Sequence, residues 1–182
     1  MTKQLKPEKG IHVQTVKIAQ ISALVLSPEE PVSDPPGILW IHGGGYITGM
    51  KEMVYMSRAM DLVKQYKAIV ISPGYRLAFQ KPYPAALDDC YDTLLYMKEY
   101  ARELGFRKDQ IMVGGESAGG GLAAAVCIRA RDEGKVCVAY TCENVPEPLL
   151  NLPGTFSIRL HAPNTGSMDI ATYYMTDRKS VV

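Results

Sequence analysis

Ile111-Met112-Val113-Gly114-Gly115-Glu116-Ser117-Ala118-Gly119-Gly120-Gly121-Leu122 is the stretch on which the reading of this chain turns. Its first three residues form a short apolar run of strand type, and residues 118–130 are a small-residue run of helical type. Between them stands G-x-S-x-G, with Ser117 at its centre. A serine at a sharp strand-to-helix turn needs a strained backbone, and flanking glycines remove the Cβ clashes that would forbid the turn. The helix that follows aims its N-terminus at the serine and favours negative charge there. The N–H of Ala118 is then free to donate to a reacting oxyanion. A glycine-rich βα turn with a capping serine satisfies the same pattern, so the motif does not decide the function unaided.

Working outward, strand and helix patterns alternate. Residues 13–18 and 21–26 are β-rich, and the proline-rich, acidic run 27–36 reads as a loop. The continuous apolar run 38–41 predicts a strand buried on both faces. Residues 55–66 have helical spacing, and 68–71 are a further buried strand. Pro84 opens a helical pattern that runs to Gly105, and residues 136–140 read as one more strand. This alternation predicts an α/β fold with a mostly parallel sheet and flanking helices. No internal repeat is visible.

Composition narrows the classes. Of 182 residues, 47% are apolar, enough for a sizeable core, and the net charge of +1 gives no sign of a nucleic-acid partner. The lysine-rich start, residues 1–10, is not followed by an apolar stretch of signal-peptide type. No apolar run approaches the roughly 20 residues that span a bilayer. Cys90, Cys127, Cys137 and Cys142 form no C-x-x-C pair and read as reduced thiols, so a cytoplasmic protein is the expectation.

His42-Gly43-Gly44-Gly45 directly follows the 38–41 strand. Glycines in this position let backbone N–H groups turn toward a substrate acyl group, and each such donor is worth roughly 3–4 kcal/mol in the transition state. His42 reads as a brace for the loop rather than as a general base.

With Tyr75-Arg76-Leu77-Ala78, Tyr83-Pro84-Ala85-Ala86-Leu87-Asp88-Asp89-Cys90 and Gly115-Glu116-Ser117-Ala118-Gly119-Gly120, the chain resembles the hormone-sensitive-lipase-like family of carboxylesterases and lipases. The resemblance covers about residues 37–140. It implies an α/β-hydrolase fold, hydrolysis of short-chain esters through a serine acyl-enzyme, no metal and no organic cofactor. It implies Ser117 as the nucleophile and Gly43, Gly44 and Ala118 as oxyanion donors. Tyr46 falls close to the acyl site as a substrate contact. Tyr75, Arg76, Asp88 and Asp89 fall in the scaffold.

The family mechanism also needs an acid and a histidine after the serine. Of His12, His42 and His161, only His161 follows Ser117, and it lacks the family's sequence surroundings. Asp169 and Asp177 come after it, in the wrong order. Glu143 and Glu147 precede it but follow too soon on the last strand. Sixty-five residues follow Ser117, against the roughly 90 that the helix and three further strand steps would take. From residue 141 prolines break the pattern. The expectation is residues 1–140 as the N-terminal and central part of a hydrolase domain and 141–182 as a divergent tail, from truncation or a frame shift. A sheet ending at Tyr140 exposes an edge unless the tail covers it. His161 is then the candidate base, and an inactive hydrolase fragment or hydrolase-like binding protein is the alternative function. A nicotinamide-dependent reductase fits poorly. Its glycine turn belongs to the first βα unit, and no tyrosine here has a lysine four residues on.

Overall fold

The computed structural model describes residues 7–30, 32–143 and 157–159. Strands β1 (Ile11–Ile18) and β2 (Ile21–Pro28) form an antiparallel hairpin. They are followed by β3 (Gly37–Ile41), helix α1 (Ala59–Tyr66), β4 (Ile69–Pro73), α2 (Ala85–Glu99), the short α3 (Ala101–Leu104), β5 (Ile111–Glu116), α4 (Ala118–Glu133), β6 (Ala139–Glu143) and β7 (Ser157–Arg159). The sheet order is β1-β2-β4-β3-β5-β6-β7, parallel from β4 onward.

The two-sided burial of β3, β4 and β5 explains their continuous apolar runs. Leu39, Ile41, Ile69, Ile71, Ile111 and Val113 pack on one face with α2 and α4. Ile38, Trp40, Val70 and Met112 pack on the other with α1. Successive side chains of a strand point to opposite faces, so such a strand must be apolar at every position. No helix among the described residues is long and apolar enough to cross a membrane.

Three elements differ from the sequence reading. The helix expected over 55–66 is a 3-10 turn (Lys51–Met56) followed by α1. Ser57 separates them: its hydroxyl donates to Val54 O and accepts from Ala59 N–H, a local alternative to helical pairing. The helical pattern up to Gly105 is broken at Tyr100 and ends on a left-handed Gly105. The strand expected over 136–140 lies at Ala139–Glu143, because β5 sets its register through Met112↔Ala139 and Glu116↔Glu143. Beyond Tyr140 the backbone stays in the sheet, and β7 pairs with β6 over three residues and covers part of its edge.

Asp89 ties the loop after β4 to α2. Its carboxylate is 4% exposed and accepts from Arg76 N (2.8 Å), Arg76 Nε (2.9 Å) and Arg76 Nη2 (2.9 Å). Asp88 pairs with Arg129 of α4 at 2.8 Å, and that guanidinium lies over the Tyr91 ring. Arg76, Asp88 and Asp89 are thus scaffold. Asp89→Ala leaves a backbone N–H and a half-shielded guanidinium without their acceptor and should cost about 3 kcal/mol in denaturant unfolding. A loss under about 0.5 kcal/mol, the usual range for inert surface changes, would contradict this account of the loop.

Candidate active site

Strand order builds the site. The chain leaves β3 toward β4 on one side and returns to β5 on the other, so a crevice opens beyond the carboxyl ends of β3 and β5. The register Ile41↔Gly115 brings the two strand ends level, which sets the glycine loop beside the serine turn.

Ser117 is exposed and has φ 51° and ψ −118°, a left-handed backbone in a non-glycine residue. Such a conformation costs of order 1–3 kcal/mol and persists only where the surroundings over-determine it. Here they do. Side chains at Gly115 and Gly119 would stand 2.6 and 2.1 Å from Ile41 O, so β3, β5 and the first turn of α4 meet backbone to backbone. Ala118, buried, opens the 16-residue α4, so its N–H lies at the helix N-terminus, ahead of the first intrahelical bond.

The loop after β3 reaches the same point. A Cβ on Gly43 would lie 3.0 Å from Glu116 O and 3.5 Å from Ser117 Cβ. Gly44 has φ 121°, and its carbonyl accepts from Thr48 N (2.9 Å) and Thr48 Oγ1 (3.1 Å). A side chain at Gly44 would meet Thr48 O at 2.0 Å, so this turn requires glycine.

His42 is 2% exposed, stacks on Tyr75 at 4.2 Å, and holds Gly43 O at 2.8 Å through Nδ1. A carbonyl only accepts, so Nδ1 carries the proton. Tyr75 Oη in turn donates to His42 O at 3.1 Å. In a trans peptide the N–H of Gly44 points opposite to Gly43 O, so this bond fixes the direction of a candidate donor. Nε2 is buried with no partner among the described residues. Burial pushes the imidazole pKa below its ordinary 6.5, against smaller opposing effects of the Gly43 carbonyl and Glu52. The unfolded chain therefore binds the proton more readily. His42's contribution to stability is present above about pH 6.5 and is lost as pH falls toward the folded pKa, by up to ~1.4 kcal/mol per unit. Wild type should lose more stability between pH 7 and pH 5 than His42→Asn, and equal losses would remove His42 as the cause.

Tyr46 follows the loop with φ 65° and is 41% exposed. Its hydroxyl lies over Gly121. Of the other histidines, His12 is on β1, four strands or roughly 19 Å across the sheet from β5. His161 lies outside the described residues. A cavity of about 490 Å³ lined by Lys98, Arg102, Phe106 and Lys108 is at the opposite end of the strands, where Phe106 packs on Gly37. It has no part in this site. Sequence reasoning missed the contact of Tyr46 with Gly121, which no spacing signals.

A family described as having the alpha/beta hydrolase fold matches residues 38–179 and so runs past the change in composition at 140. Carboxylesterase NlhH of Mycobacterium tuberculosis is 37% identical over 135 residues, 72% of this chain and 42% of that protein. The gibberellin receptor GID1 of Oryza sativa subsp. japonica is 34% identical over 114 residues, 60% of this chain and 32% of the receptor. A bacterial heroin esterase superposes with a TM-score of 0.71 at 34% identity, covering 74% of this chain and 44% of that one. The chain spans less than half the length of these relatives. With the glycine loop and serine turn side by side at the end of a parallel sheet, it belongs to the hormone-sensitive-lipase-like, carboxylesterase-type family of α/β hydrolases, in which a serine acyl-enzyme is the general mechanism.

Proposed function

We propose that this chain carries the nucleophile and oxyanion donors of a carboxylic ester hydrolase acting on small, short-chain esters. The observation that carries the reading is the approach of Gly43 to Ser117, with Ser117 on a strained turn at the head of α4. Ser117 Oγ attacks the ester carbonyl carbon and forms a tetrahedral oxyanion. The N–H groups of Gly43, Gly44 and Ala118 converge on that charge, with the helix dipole behind them. Collapse expels the alcohol and leaves an acyl-serine, which water then hydrolyses. No metal or organic cofactor enters.

The serine proton needs a base. His42 does not serve, because its proton-bearing nitrogen holds Gly43 O and its ring is buried. In this reading the base is His161, the one histidine after Ser117. The test is release of nitrophenolate from p-nitrophenyl butyrate by the purified chain. Release well above buffer, lost in His161→Ala, supports the whole reading, whereas release at the buffer rate would sink it.

The similarity to a gibberellin receptor favours a second reading, a hydrolase-like protein that binds a small ligand without turning it over. A saturable ligand with no Ser117-dependent hydrolysis would select it.

A further inference from the structure

We propose that Tyr46, seated in a notch that Gly121 leaves on α4, is the wall that limits acyl-chain length; the inference rests on the ester-hydrolase reading. The seat has three parts. Tyr46 adopts a left-handed φ of 65°, which an aromatic residue takes only where its surroundings hold it. Its carbonyl accepts from Ala78 N–H at 2.8 Å, which ties it to the loop after β4. A Cβ on Gly121 would stand 2.6 Å from Tyr46 Oη, and outside the helix's own backbone and the adjoining residues the next atom is Tyr46 Cζ at 3.9 Å.

The location gives the seat its consequence. Gly121 lies one helical turn after Ser117, and its N–H donates to Ser117 O at 3.2 Å. Tyr46 lies three residues after Gly43, whose Cα faces Ser117. The side chain thus runs from the glycine loop to the first turn of α4, its hydroxyl at Gly121 and the residue 41% exposed, and on this proposal the exposed part of the ring lies on the crevice. A chain attached to a carbonyl at Ser117 meets this ring when it extends along α4. Aromatic walls suit alkyl chains, and a rigid one sets a length beyond which binding stops improving.

Gly121 acts here as a positioning residue. A methyl at 121 meets the hydroxyl end of the Tyr46 side chain rather than backbone, so the ring must shift off the helix, by about 0.5–1 Å and on this proposal toward the acyl path, while the fold stays intact. Removing the hydroxyl makes room for that methyl. Gly121→Ala should lower the ratio of kcat/KM for p-nitrophenyl octanoate to that for the acetate by about tenfold, chiefly through KM. Tyr46→Phe placed in the Gly121→Ala background should return the ratio to within about twofold of wild type, as expected for two groups in direct contact. A merely structural role for Gly121 would lower both esters equally and would not be rescued. An unchanged ratio in a Gly121→Ala protein that still turns over esters would overturn the proposal and leave the hydrolase reading standing.

A second measurement works without turnover. Tyr46, ¹³C-labelled in the ring and assigned by its loss in Tyr46→Phe, is titrated with sodium butyrate and sodium octanoate. A saturable shift supports the contact even if no ester is hydrolysed. No shift with either acid, in protein that turns over esters or in protein that does not, overturns it.

Discussion

Gly119→Ala should leave no natively folded protein. Helix propensity alone points the other way, since alanine in a helix interior is favoured over glycine by about 1 kcal/mol. Steric contact decides the sign. The added Cβ would stand 2.1 Å from Ile41 O and 2.5 Å from His42 O, both backbone atoms at the end of β3. Neither can swing aside as a side chain can, so α4 must lift from the sheet by about an ångström along a core of Leu122, Ala123 and Val126. Overpacking in a closed core costs typically 1–3 kcal/mol where side chains relax, and more where backbone opposes backbone. We expect over about 5 kcal/mol, which consumes most of the stability of an ordinary domain. Circular dichroism and soluble yield would read it. Gly121→Ala is the contrast two residues on: its clash is with the tip of Tyr46, so that variant should melt close to wild type. A Gly119→Ala protein with wild-type melting would refute the close approach of α4 to β3.

Ser117→Ala should keep the fold and lose the chemistry. Ser117 is exposed, and alanine at φ 51° carries the same backbone strain as serine, so unfolding free energy should change by less than about 0.5 kcal/mol. In the proposed mechanism no acyl-enzyme forms without Oγ. Removal of the nucleophile from a complete serine-hydrolase triad costs roughly 10⁶ in kcat, and the donors retain a residue of about 10³–10⁴ over water. Turnover of p-nitrophenyl butyrate should therefore fall by at least about 10³-fold with unchanged melting. A variant that hydrolyses the ester as wild type does would place the nucleophile elsewhere.

The central sheet was legible because its physics is local. Ile38 to Ile41 and Ile111 to Val113 are apolar at every position, as two-sided burial demands. Gly115 and Gly119 flank Ser117 because no side chain fits there. Most of what escaped depended on contacts between distant segments, and the break at Ser57 on a local side-chain bond. The level ends of β3 and β5 follow from strand order, which spacing does not encode. The true span of β6 came from its pairing with β5 rather than from its own apolar residues: Val136 is buried yet lies before the strand. Ser57 split a helix whose periodicity looked continuous, by a hydroxyl that bonds backbone on both sides. For His42, a bracing role could be read from the motif, but its partner Gly43 O and the stack on Tyr75 could not. Tyr46 and Gly121 lie far apart in sequence, and only the fold brings them together.

Covalent labelling tests the central claim most directly. The folded chain is treated with a fluorophosphonate, digested, and the adduct located by mass spectrometry. One adduct on the peptide containing Ser117, absent after heat denaturation and absent in Ser117→Ala, is the predicted result. An adduct confined to another residue, or none in protein that melts cooperatively, would contradict the assignment of Ser117 as a nucleophile held beside an oxyanion loop.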